Sequence, residues 1–140
     1  LSKTDKNCGE DTCRGLWISY NDEWETWCNQ HDTNRNYKFA NQLDISACKV
    51  YLISCISDLL NFHKKYQDHG FIDWQKVALD YHGVCVVNYQ DIVPQLQKVM
   101  EKSKVDTVFF SYTWFNSLSV SCSCIWNLGN IKIINSKELV

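Results

Sequence analysis

The stretch SLSVSCSCIW, residues 117–126, alternates strictly. Leu118, Val120, Cys122, Cys124 and Trp126 share one parity, and Ser117, Ser119, Ser121 and Ser123 share the other. Successive side chains of an extended chain point to opposite faces, so a period of two marks a strand with one apolar face. The turn-forming run Asn127-Leu128-Gly129-Asn130 follows, and residues 131–134 are expected to return as the antiparallel partner. Residues 105–112 read as a further strand. Cys122 and Cys124 fall on one face, which favours bridges to separate elements over a bond to each other.

Upstream the period changes. Across residues 45–66, Ile45, Cys48, Leu52, Cys55, Ile56, Leu59 and Phe62 recur at three- and four-residue steps, the stripe of an amphipathic helix. Asp44 is its expected N-cap, and Gly70 closes the unit. On such a helix Cys48 and Cys55 lie roughly 10 Å apart along the axis at 1.5 Å per residue, too far for a mutual disulfide. A second helix is expected over 73–82, capped by Asp73 and stopped by a left-handed Gly83, with Trp74, Val77, Ala78 and Tyr81 on its buried face. A third is expected over 91–104, with Asp91 and Pro94 in its first turn and Leu96, Val99 and Met100 facing inward. Residues 1–42 are polar, Asn-rich and punctuated by Cys, so an irregular, disulfide-held region is expected there, with a short strand near 16–20. The sum is α+β: one domain over 1–140, its central helices packed on an antiparallel sheet.

Eight cysteines in 140 residues, with no Cys-x-x-Cys pair, read as up to four disulfides formed in an oxidising compartment. Secretion is therefore expected. The polar start, Leu1-Ser2-Lys3-Thr4, fits a mature chain whose signal peptide has been removed. No apolar run approaches the ~18 residues a bilayer requires, so no membrane partner is expected. His31, His63, His69 and His82 show no metal-ligand spacing, and neither a metal nor a cofactor is implied. A net charge of −2 gives no global attraction to polyanions. Six tryptophans still offer stacking surfaces; Trp24, Trp27 and Trp114, in the less regular segments, are the candidates for exposure.

Two short motifs carry the functional reading: Gly15-Leu16-Trp17 near the start and His82-Gly83-Val84-Cys85 past the middle. Together, in this order, they resemble the two active-site segments of the secreted ribonuclease T2 family. There the first segment reads roughly aromatic-x-Ile-His-Gly-Leu-Trp-Pro, and the second roughly Trp-x-x-Glu-x-x-Lys-His-Gly-Thr-Cys. Here they stand as Cys13-Arg14-Gly15-Leu16-Trp17-Ile18 and as Trp74 through Cys85. The likeness extends over about two thirds of the chain. It implies a ribonuclease T2-like fold, a Cys28–Cys85 disulfide, and RNA as the ancestral ligand.

The resemblance also implies a damaged catalytic set. The family cleaves RNA by passing the phosphoryl group to the ribose 2′-hydroxyl, with one imidazole as base and another as acid. Arg14 stands where the first histidine belongs. It stays protonated and holds a phosphate at best. His82 is the surviving, vestigial catalytic residue, Tyr81 replaces the family's Lys, and Asp80 lies two positions from the place of its Glu. Arg14, Trp17 and Tyr81 are the expected substrate-contacting residues. His82 is alternatively a helix C-terminal cap, and Arg14 a surface ion-pair residue. The primary expectation is a pseudoenzyme that binds RNA weakly or engages a host or receptor protein. A working single-strand RNA endonuclease, and an unrelated disulfide-stapled effector or ligand, are the alternatives.

Overall fold

A computed structural model describes residues 15–20, 23–30, 39–103 and 112–138, with Cys28, Phe39, Ala40 and Ser103 by backbone alone. In chain order the elements are β1 Leu16–Ser19, α1 Glu23–Gln30, β2 Phe39–Asp44, β3 Val50–Ile53, α2 Ile56–Tyr66, β4 Gln67–Asp68, β5 Phe71–Ile72, α3 Trp74–Asp80, β6 Gly83–Val86, α4 Tyr89–Ser103, α5 Thr113–Asn116, β7 Cys122–Ile125 and β8 Lys132–Glu138. The class is α+β, as the periodicities indicate.

The main sheet runs β1-β7-β6-β3. β7 is antiparallel to both β1 and β6, while β6 and β3 are parallel, joined through α2, the β4–β5 hairpin and α3. On one face Val84, Val86, Cys124 and Trp126 join Ile53, Leu59, Phe62, Tyr66, Trp74, Val77, Ile92, Leu96, Trp114 and Phe115 in a single core. Every residue of β6 and β7 is buried. The serine parity of 117–126 is thus not a solvent face: Ser121 and Ser123 are buried polar residues, each hydrogen-bonded.

Several expectations are corrected. The stripe over 45–66 is one helix only from Ile56. Its first half is a turn after β2, in which Asp44 Oδ1 accepts from Ser46 N at 2.9 Å, and then β3. The β-rich run Val50-Tyr51-Leu52-Ile53 gains a full backbone ladder beside β6, which outweighs the helical spacing of its neighbours. Asp58 instead organises the start of α2, accepting from Ser54 N and Ser54 Oγ at 3.0 Å each. Asp73 does cap α3, its carboxylate accepting from Lys76 N. Gly83 is no helix stop: α3 ends at Asp80, and Gly83 opens β6. The positive-φ glycine is Gly70, which with His69 (φ 87° and 54°) makes the tight turn of the β4–β5 hairpin.

α4 begins at Tyr89, ahead of the expected start. Asn88, at φ 56°, accepts from the amides of Asp91 and Ile92, and Pro94 therefore lies inside the helix. β8 does not return along β7. It pairs antiparallel with β2 in a separate two-stranded ribbon, with a register shift after Gln42. The described residues of the region 1–42 form β1, where a short strand is expected, α1 and part of β2. The strand expected over 105–112 lies outside the described residues except for Tyr112, which is buried at the start of α5.

The disulfide expectation is also revised. Cys48, Cys55, Cys85 and Cys122 are free thiols, which leaves four of eight cysteines for bonding and at most two bridges. Cys124 is disulfide-bonded, to a partner outside the described side chains. Aromatic packing fills much of the described core. Phe62, Trp74, Trp114 and Phe115 form a chain of ring contacts at 5.3–6.0 Å between centroids.

Candidate functional site

The sheet brings the two motif segments to opposite sides of one strand. Leu16, Ile125 and Gly83 occupy one row across β1, β7 and β6, and Trp17, Cys124 and Val84 the next. Both motif glycines are required by this approach. A Cβ on Gly15 would stand 2.6 Å from the Ile125 carbonyl oxygen. One on Gly83 would stand 2.6 Å from the Cys124 carbonyl oxygen and 2.5 Å from Ile125 Cδ1. The glycines let β7 lie between the two segments, a structural duty independent of any chemistry.

His82 sits where three strands meet. Its amide donates to the Lys49 carbonyl at 2.6 Å, and its carbonyl accepts from Trp126 N at 3.0 Å and Asn127 N at 3.3 Å. The ring is tied as well: Nδ1 accepts from Lys49 N at 3.0 Å, which places the proton of the neutral ring on Nε2. The helix-cap alternative for His82 falls away, because Tyr81 caps α3. Tyr81 meets Tyr51 edge-on at 5.3 Å, lies under Lys49 Nζ at 5.2 Å, and accepts from Trp126 Nε1 through its carbonyl. Asp80 accepts from Tyr66 OH at 2.7 Å.

The other histidines occupy unrelated places. His63 is buried in α2, its ring 4.2 Å from that of Tyr112, and burial lowers its pKa to about 4. His69 is exposed at the hairpin tip beside Asp68. Arg14 and His31 lie outside the described residues.

Behind the sheet, Cys85 ends a buried chain of hydrogen bonds. Tyr20 OH and Ser123 Oγ are 2.7 Å apart, and Ser123 Oγ donates to Cys85 Sγ at 3.0 Å. Burial is the main reason the Tyr20 hydroxyl is pushed up to about 12. Because Cys85 is a free thiol, the expected Cys28–Cys85 bond is absent: the sulfur is held by Ser123 instead.

A groove of about 650 Å³ lies between β1, α1 and the segment before β7. Trp17, 47% exposed, Trp24 and Trp27 form its aromatic wall, and Leu118, Ser119 and Cys122 face them. Trp24 and Trp27 stack at 5.1 Å and 7°, as the i, i+3 spacing on α1 permits. That spacing was a usable signal in the sequence for a paired indole surface. Trp114, expected at the surface, is buried in the core. Of the expected substrate-contacting residues that are described, Trp17 lines this groove and Tyr81 does not.

Comparison with protein-family models, with curated proteins and with solved structures finds no match for this chain.

Proposed function

We propose that this chain is a secreted binding protein on a ribonuclease T2-like scaffold that no longer cleaves RNA. The carrying observation is where the other described histidines stand: His63 is buried against Tyr112 and His69 is exposed at the hairpin tip, while His82 Nδ1 is held by the Lys49 amide. An acid–base pair needs two titrating groups converging on one phosphate, and loss of one partner lowers rate by ~10²–10⁴. The register that sets Gly15-Leu16-Trp17 and Gly83-Val84 on either side of β7 supports the ribonuclease-like ancestry. A protein partner is favoured over RNA. The described groove lining is apolar and hydroxylic without a Lys or Arg, and phosphate contacts supply most non-specific affinity for nucleic acid. No helix among the described residues is long and apolar enough to cross a membrane.

One observation favours a second reading, an unrelated disulfide-stapled ligand: the free thiol of Cys85, where the family resemblance calls for a bridge. Disulfide mapping of the secreted protein by peptide mass separates the two. A Cys28–Cys85 peptide would contradict the free Cys85 thiol and remove the ground for the second reading, whereas Cys85 recovered as a free thiol keeps that reading beside the ancestry that the strand register supports. Retention of labelled single-stranded RNA, measured by anisotropy at 50 and 200 mM salt, tests the choice of partner. Weak binding lost at the higher salt is expected. Tight, salt-resistant binding would make RNA the ligand.

A further inference from the structure

Two indole donors are buried without an acceptor. Trp74 and Trp114, 2% and 3% exposed, stand edge to face at 5.3 Å, and neither Nε1 has a hydrogen-bond partner. A ring face is a weak substitute for an oxygen acceptor, and a buried donor left unmade is costly. Both indoles line a void of about 10 Å³, the room of one small atom or water. That void shares Trp17, Leu118 and Cys122 with the 650 Å³ groove, so the two spaces adjoin at these side chains. The groove's volume falls within the range of small-molecule sites, which combine apolar walls with a few placed polar groups.

The charge nearby selects further. Glu23 accepts from Ser121 N at 3.0 Å and, behind burial and the neighbouring Cys85, adds to what pushes the Cys122 thiol up to about 12. A second negative charge at the groove floor is therefore disfavoured, while an uncharged acceptor is not.

We propose that the groove is a binding site for a small neutral ligand with a flat apolar body and one terminal oxygen acceptor. The body lies against Trp17, and the oxygen enters the adjoining void to accept from Trp74 and Trp114. This assignment is independent of the ribonuclease-like reading.

Three probes of one shape test it: 2-acetylnaphthalene, 2-ethylnaphthalene and 2-naphthoate, each titrated into the full chain. Binding is read from tryptophan fluorescence and from the indole N–H cross-peaks in ¹H–¹⁵N spectra, assigned with Trp74→Phe and Trp114→Phe or, should those not fold, by NOE in the wild type. The ketone should bind at least tenfold more tightly than the hydrocarbon and the anion, and should move the two buried indole peaks. Trp17→Ala, at a half-exposed position, should weaken it about tenfold. Equal binding of ketone and hydrocarbon would overturn the proposal. So would buried indole peaks that stay fixed at saturation, because an ordered water would then be the acceptor.

Discussion

Acidification should destabilise the fold through one side chain, His63. The ring is 7% exposed, packs 4.2 Å from Tyr112, and leaves Nδ1 without a partner. Burial disfavours the imidazolium and holds the pKa down to about 4, against 6.5 in the open chain. As pH falls through 6.5 the unfolded chain takes up a proton that the folded chain refuses until about 4. Stability from this group is thus complete above 6.5, declines between 6.5 and 4, and is lost below. At about 1.4 kcal/mol per pH unit, the gap corresponds to roughly 3 kcal/mol, and partial access of water to the ring brings it to about 2–3 kcal/mol. Asp44 and Asp58 are both held below 3.8 chiefly by hydrogen bonds from Ser46 and Ser54, so they titrate below this window. The assay is urea unfolding of wild type and His63→Phe at pH 7, 6, 5 and 4, followed by tryptophan fluorescence. The wild-type midpoint should fall by about 1–2 M urea across the series, and that of the variant by distinctly less. Parallel slopes in the two proteins would refute the assignment to His63.

Three further outcomes are expected. Gly83→Ala and Gly15→Ala, whose new methyls meet the β7 backbone at 2.6 Å, should each cost about 1–3 kcal/mol by chemical denaturation, whereas Gly129→Ala, with nothing nearer than 3.5 Å, should be near neutral. Tyr66→Phe removes the 2.7 Å donor to Asp80 and should cost about 1 kcal/mol in the same assay, with the urea slope unchanged. Cys55 is the exposed free thiol, while Cys48, Cys85 and Cys122 are buried. Cys55→Ser should therefore remove one rapidly reacting equivalent in a thiol titration of the native protein, and Cys122→Ser should remove none before denaturation.

The sequence was most legible where local rules and packing agree. Asp73 caps a helix as its position suggests, and of the alternating stretch 117–126 the part Cys122–Ile125 is a strand. It misled where a long-range partner decided the outcome. Val50-Tyr51-Leu52-Ile53 sits on a helical stripe, yet pairing with Gly83-Val84-Cys85-Val86, more than thirty residues away, makes it a strand. The same holds for Ile133, whose partner is Leu43 and not the adjacent β7. At the candidate site the motif glycines were visible, but their reason was not. The fit of Gly15 and Gly83 around Ile125 depends on a third segment that neither motif contains. The groove was half legible: Trp24 and Trp27 announce themselves by spacing, whereas Leu118, Ser119 and Cys122 reach it only through the turn at Ser119, whose φ is 71°.

The most direct test of the central claim is cleavage of a fluorescent single-stranded RNA by the purified chain across pH 4–8, with His82→Ala alongside. With His63 buried against Tyr112 and His69 exposed at the hairpin tip, His82 stands as the surviving member of the acid–base pair that the resemblance implies, and both proteins should show no turnover above buffer. Turnover by the wild type that His82→Ala abolishes would contradict the account and make this an active ribonuclease.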